Sequence, residues 1–259
     1  MHRPPGSPIH QPAPISVKTA DLLKLRLSNG LCPQVAGVLS SLPDDFLARV
    51  KAAGPDLVEL RLDQMPSGVD WLGAGEKIEA DNIPVLGTLR LGNEGGAWLD
   101  RDDERLPRLS RALEAFSAID VELASPLAEM LAPLARRLGK ALVLSHHNFV
   151  ETDSFPVLRK IVERAHLLGG VAKVATMVKT PSDIETLLAL LEISAQGPVC
   201  VIGMGPLAEN TRIEFPAKGS CLAYGYLDCP SAPGQPSAEK LIRALTARIP
   251  AYRDSRPSP

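Results

Sequence analysis

Eight short apolar runs with helix-like stretches between them predict a (β/α)8 TIM barrel for this 259-residue chain. Polar and charged residues gather at the C-terminal ends of those runs, where a barrel of this kind carries its chemistry. The structural alternative is an open doubly wound sheet. Its dinucleotide-binding version finds no support, because no G-x-G-x-x-G follows the first run.

The runs lie at 34–40, 56–62, 83–90, 118–123, 140–146, 170–177, 198–204 and 220–225. They suit buried parallel strands better than helices, being short and apolar. Helical patterns fall at 44–53, 69–80, 102–116, 126–138, 157–168 and 182–195, with a last one at 237–249. The sixth is the clearest. Ile184, Leu187, Leu188 and Leu191 stand at i, i+3, i+4 and i+7 and form one core-facing stripe. The connection 206–218 reads as poorly helical. Residues 17–27, ahead of the first run, are expected to form a short N-terminal β segment that closes the barrel bottom. One catalytic domain is expected over 16–250. Disordered tails are expected at 1–15, where Pro4, Pro5, Pro8, Pro12 and Pro14 crowd together, and at 251–259.

Composition narrows the function classes. Hydrophobic residues make up 45% of the chain, enough for a large core, and the formal net charge is −2. Nucleic-acid binding has no basic excess to support it, and no apolar run is long enough to span a bilayer. The first residues lack the apolar core of a signal peptide. Cys32, Cys200, Cys221 and Cys229 show neither C-x-x-C pairing nor zinc-ligand spacing, so free thiols in a cytoplasmic protein are expected.

Lys173 is the most informative residue. It sits in the apolar run Val171-Ala172-Lys173-Val174-Ala175-Thr176-Met177. Desolvation there disfavours the charged ammonium, and a neutral amine attacks carbonyls to form a Schiff base. Taken alone, the residue fits a strand-end lysine that snorkels to water better than it fits a nucleophile, and the rest of the chain reverses that preference. Other strand ends carry more. Glu59, Arg61 and Asp63 alternate and share a face, as do Thr88 with Arg90 and Ser145 with His147 and Phe149. Arg212 follows the seventh run, and Ser231-Ala232-Pro233-Gly234-Gln235 follows the eighth. Each has an ordinary structural account: a buried ion-pair network, a core histidine, a surface arginine, a turn. Together they describe a polar mouth suited to a small, anionic, hydroxylated substrate. An amine, an imidazole and an arginine in one mouth are parts for activating the carbonyl of a carboxylate-bearing ketone, which implies a class I aldolase or lyase.

From about Gln34 to about Ile249 the chain resembles the type I 3-dehydroquinate dehydratase family, the Schiff-base-forming enzymes of the shikimate pathway. The resemblance rests on Glu59-Leu60-Arg61-Leu62-Asp63, Thr88-Leu89-Arg90 with Glu94-Gly95-Gly96, and Ser145-His146-His147-Asn148-Phe149. It continues through the Lys173 strand, Met204 with Arg212, and the segment from Ser231 to Gln235. It implies syn elimination of water from 3-dehydroquinate to give 3-dehydroshikimate. Lys173 would form the imine. His147 would act as general base and then general acid, a two-way role that an ordinary imidazole pKa of about 6.5 suits. Glu94 would fix the imidazole tautomer. Arg212 would clamp the substrate carboxylate; Glu59, Arg61 and Arg90 would bind ring hydroxyls; Ser231 and Gln235 would close over the substrate.

The resemblance also implies a homodimer in the cytoplasm, with no metal or organic cofactor and no nucleic-acid or membrane partner. The sequence departs from the family pattern at Gln64, Asn148 and Glu209. Two other readings stand beside this one. One is another class I Schiff-base lyase or aldolase, which should show a glycine-rich phosphate cradle after the last two strands. The other is a non-catalytic relative that binds quinate-like ligands.

Overall fold

Every apolar run becomes a strand in the computed structural model, which describes residues 19–28, 32–99, 102–230 and 234–256. The strands are β1 (Gln34–Leu39), β2 (Leu57–Arg61), β3 (Val85–Thr88), β4 (Ala118–Glu122), β5 (Ala141–Asn148), β6 (Val171–Met177), β7 (Val199–Met204) and β8 (Leu222–Tyr226). They form one parallel sheet in the order β7-β6-β5-β4-β3-β2-β1-β8. Its two edges meet along β7 and β8, giving a nearly closed barrel. Cys221 N–H donates to the Val199 carbonyl (2.9 Å) across that seam, and Val201 N–H donates to Ser220 Oγ (2.9 Å).

The helices are α1 (Thr19–Ser28), α2 (Phe46–Ala53), α3 (Trp71–Ala80), α4 (Asp102–Ala115), α5 (Leu127–Leu138), α6 (Phe155–Leu167), α7 (Pro181–Glu192), α8 (Thr211–Ala217), α9 (Ala238–Arg248) and α10 (Pro250–Asp254). Helices α2 to α9 follow strands β1 to β8 in strict alternation. None of the helices is long and apolar enough among the described residues to cross a membrane.

The period of two along each strand sorts the side chains. Val58, Leu60, Val85, Ile119, Val121, Val174 and Val201 face outward and are buried against the helices. Ala36, Val38, Leu57, Leu86, Ala118, Val143, Val171 and Leu222 fill the lower interior. Above that apolar plug, the inward positions turn polar.

Three expectations are corrected. The segment before β1 is helix α1, not a β segment. Ala20, Leu23 and Leu27 recur at helical spacing and are buried, the two leucines against the interior residues at the barrel bottom. Each buried leucine contributes about 1.5–3 kcal/mol relative to exposure, so a helix that buries Leu23 and Leu27 plugs the opening as strands would. Second, residues 251–256 are no tail. Tyr252 in α10 is fully buried, and its hydroxyl donates to Asp56 Oδ2 (2.8 Å) while Arg256 Nη1 donates to Asp56 Oδ1 (3.1 Å). One aromatic ring and one carboxylate 196 residues away anchor a stretch that composition marks as loose. Third, 206–218 holds a 3-10 turn (Pro206–Ala208) and then α8. Its Pro216 falls in the last turn, Thr211 Oγ1 bonds back to the Ala208 carbonyl (2.6 Å), and Phe215 packs into the core. The expected tail at 1–15 lies outside the described residues.

Candidate active site

Glu59, Arg61, Arg90, Glu94, His147, Lys173, Arg212 and Gln235 line one cavity at the C-terminal mouth of the barrel. Ser231 lies outside the described residues.

At the floor, Lys173 is 5% exposed, so its amine is removed from bulk water. It is not bare, however. Its Nζ donates to Asp120 Oδ2 (2.9 Å), lies 3.9 Å from Glu59 Oε1, and sits 4.2 Å above the centre of the Tyr224 ring. The ammonium imagined alone in an apolar strand is therefore ion-paired. Asp120 also accepts from Arg90 Nη2 (2.6 Å) and Ser145 Oγ (2.6 Å). Burial would raise its pKa, but Arg90 and Lys173 outweigh that and hold the carboxyl well below the usual range. Arg90 Nη1 reaches Glu122 (2.8 Å) and Ser145 Oγ (2.6 Å). Burial opposes the Arg90 charge, yet Asp120 and Glu122 raise its pKa above the ordinary value. Arg105, from α4, completes the cluster by pairing with the other Glu122 oxygen.

Charge balance in the interior is close. Lys173, Arg90 and Arg105 face Glu59, Asp120 and Glu122. Arg61 is satisfied by a two-pronged pair with Asp63 (3.0 and 2.8 Å), and Asp63 also receives the Ala97 N–H (3.0 Å). Arg212 differs. It is carried by the first turn of α8 and has no side-chain hydrogen bond or ion pair among the described residues. Desolvation without a countercharge lowers its pKa. A half-buried guanidinium left without a carboxylate is a place for an anion.

His147 stands on β5, beside the Lys173 strand and nearer the mouth, since Ser145 is level with Lys173. Its Nδ1 lies 2.9 Å from Glu94 Oε2, which also accepts the His147 backbone N–H (3.0 Å). With Glu94 ionised, Nδ1 carries the proton and Nε2 is left with a free lone pair. Burial, then the Arg90 and Lys173 cations, hold the imidazole pKa well below 6.5. The ordinary imidazole implied by resemblance is thus replaced by one that is neutral at pH 7. Burial pushes Glu94 the other way, up to about 7, against the pull of Arg90.

Glu94 is delivered by a 3-10 turn (Gly92–Glu94) after β3. Gly95 closes that turn with φ +77°, under the Phe149 ring that stacks on His147. At Gly96 a Cβ would collide with the Arg90 carbonyl. Gly96→Ala is therefore expected to push Arg90 and Glu94 out of place and lower kcat/KM by about tenfold or more; steady-state kinetics on the folded variant check this.

The three departures from the family pattern lie off the reacting centre. Asn148 turns away to cap the following loop, accepting from Val150 N (2.9 Å) and Glu151 N (3.0 Å) and donating to Asp153 (3.0 Å). Glu209 and Gln64 are exposed.

Asp120, Glu122 and Arg105 were not singled out from sequence. A signal existed for each. Asp120 and Glu122 alternate within the apolar run Ala118-Ile119-Asp120-Val121-Glu122, as Glu59 and Arg61 do in theirs. Arg105 falls on the buried stripe of α4 with Leu109, Ala112 and Leu113.

The Type I 3-dehydroquinase family model matches residues 41–249. The chain is 33% identical over 216 residues to the 3-dehydroquinate dehydratase of Methanocella arvoryzae, spanning 82% of this chain and 95% of that one. It is 35% identical over 202 residues to that of Methanothermobacter thermautotrophicus (76% and 87%). Among solved structures, the 3-dehydroquinate dehydratase of Geobacillus kaustophilus superposes with a TM-score of 0.76 at 26% identity, over 86% of this chain and 93% of that one.

Proposed function

The chain belongs to the type I 3-dehydroquinase family, and from that premise we propose that it dehydrates 3-dehydroquinate to 3-dehydroshikimate through an imine on Lys173. One observation carries the reading. The Lys173 amine, the neutral His147 imidazole and the unpaired Arg212 guanidinium face a single cavity.

The chemistry follows from those positions. The Arg212 fork takes the substrate carboxylate, and the ring hydroxyls meet Glu59, Arg61 and Arg90 at the wall. Lys173 gives up a proton, attacks the C3 ketone and releases water as the iminium forms. His147 is neutral and stands on the neighbouring strand, so it can receive that proton and hand it to the carbinolamine oxygen, which leaves as the water and frees the imidazole again. The iminium draws electrons from C2, whose proton passes to the His147 Nε2. Electrons then return from the enamine, the C1 hydroxyl departs, and His147 protonates it as water. A second water hydrolyses the imine and restores the amine. Asp120 and the Tyr224 ring, both against Nζ, stabilise the positive charge of the iminium. Gln235, buried at the rim, helps keep bulk water from the imine.

The sugar-phosphate alternative fits less well. After β8, Asp228 accepts from Ser40 N (3.0 Å), Ser41 N (2.8 Å) and Ser41 Oγ (2.9 Å), so a carboxylate already takes the donors at that rim.

Mass spectrometry after mixing the protein with 3-dehydroquinate and borohydride tests the proposal. A reduced adduct on Lys173 is expected; a folded protein with no adduct overturns the imine.

A pH dependence follows from Glu94. Its carboxylate must be ionised to hold the Nδ1 proton, so kcat/KM is expected to fall as pH drops through about 7. Glu94→Gln should remove that limb. Stability runs in the opposite sense. The folded pKa of about 7 lies above the ordinary 4.5, so the folded state binds the extra proton between those values. The resulting stabilisation is full below about 4.5 and lost as pH rises through about 7. Thermal unfolding of parent and Glu94→Gln across this range checks the sign.

A further inference from the structure

Arg105 lies outside the mouth cavity, on a helix, and touches none of the groups assigned to the chemistry. It is nevertheless fully buried, and no other fully buried side chain among the described residues is larger. A guanidinium in such a place is costly unless it is paired and hydrogen-bonded. Its bonds are specific. Nε donates to the Leu89 carbonyl (3.0 Å), and Nη2 pairs with Glu122 Oε2. The other oxygen of Glu122 accepts both Arg90 Nη1 (2.8 Å) and the Leu91 backbone N–H (3.0 Å). The Arg105–Glu122 pair therefore grips the chain on both sides of Arg90. Leu91 is also where the turn to Glu94 begins, through Glu94 N–H to the Leu91 carbonyl (3.0 Å) and the Leu91–Trp98 bridge.

We propose that Arg105 is a positioning residue for the dehydration. Acting through Glu122, it sets the place of Arg90 and of the turn that carries Glu94. By that route it governs both halves of the site: the Lys173–Asp120 pair, which Arg90 braces, and the His147–Glu94 pair, which the turn delivers. The inference rests on the Lys173–His147 reading above and extends it to a helix residue behind the wall.

Bond geometry favours this over simple space-filling. Lysine keeps the charge but is a point donor without the planar fork, so it cannot hold Leu89 and Glu122 at fixed mutual angles. Arg105→Lys is therefore expected to fold and to lose about tenfold or more in kcat, with KM changed far less, since a misplacement of about 1 Å costs rate before binding. Its acid limb should also move to higher pH, because Arg90 holds the Glu94 pKa down and would stand less well placed.

The experiment measures kcat, KM and the kcat/KM pH profile for Arg105→Lys, Arg105→Gln and the double variant Arg105→Met with Glu122→Gln. The double variant removes both charges and leaves neither buried and unpaired, so it keeps the test alive if a single variant fails to fold. Lost kcat with a displaced acid limb, milder for lysine than for glutamine, supports the proposal. Parent-like kcat and pH profile in any folded variant overturn it. Borohydride trapping of the parent separates the two readings. A parent without an adduct overturns the imine, whereas a trapped parent beside kinetically normal variants overturns the role of Arg105 alone.

Discussion

Lys173→Met yields a folded barrel whose dehydration rate falls by on the order of 10⁴-fold or more, the scale of losing a covalent nucleophile. Methionine keeps an unbranched apolar stem of similar length over Tyr224, so the cavity floor stays filled. Its ion-pair partner is not abandoned either. Asp120 loses the amine but retains Arg90 (2.6 Å) and Ser145 (2.6 Å). The stability cost should therefore fall below the roughly 3–5 kcal/mol of orphaning a buried charge outright. Thermal unfolding measures that part, and intact mass after borohydride measures the chemistry. The parent should gain a reduced adduct and the variant none. Turnover near the parent rate in Lys173→Met would falsify the imine.

The second large effect separates imine formation from elimination. His147→Ala keeps the nucleophile and the Arg61, Arg90 and Arg212 guanidinium groups, so substrate still binds and condenses, more slowly without the imidazole to move the amine proton. With no base against C2 the reaction stops at the substrate imine, and kcat falls by about 10²–10⁴-fold. Borohydride should then trap an adduct of substrate mass, where the parent also shows the product adduct, lighter by one water. Folding is largely spared, because the ring is held neutral and Glu94, which loses Nδ1, keeps the backbone N–H of residue 147 (3.0 Å). A variant that turned over normally would make His147 a core residue.

The prediction for Arg105 has a different character, since it concerns a residue that touches no reacting atom. Its sequence signal is an arginine on the apolar stripe of α4, which alone reads as a snorkelling side chain. Only the approach of that helix to β3 and β4 shows that the guanidinium points inward.

Much of the fold was legible because its signals are local. A run of apolar residues too short for a helix, followed by an amphipathic stretch, specifies one β/α unit, and eight of them specify the barrel. Alternation within a strand is equally local. It places Glu59 with Arg61, and Ser145 with His147, on one face before any contact is known. The ends of the chain were misjudged for the complementary reason. Whether residues 17–27 form a strand or helix α1, and whether Tyr252 hangs free or docks, depends on surfaces that other segments provide.

The sequence by itself determined that this chain makes a parallel barrel with an amine, an imidazole and several guanidinium groups at one end. Tertiary structure alone decided which charge meets which. Lys173 is held by Asp120, 53 residues away, and Arg90 by Glu122, 32 away, while Arg212 is left open. Side-chain periodicity is a property of neighbours along the chain. Ion pairing and desolvation are properties of neighbours across it, set by strand register and helix packing, and they turn a list of polar residues into a neutral imidazole, an ion-paired amine and a guanidinium with no countercharge among the described residues.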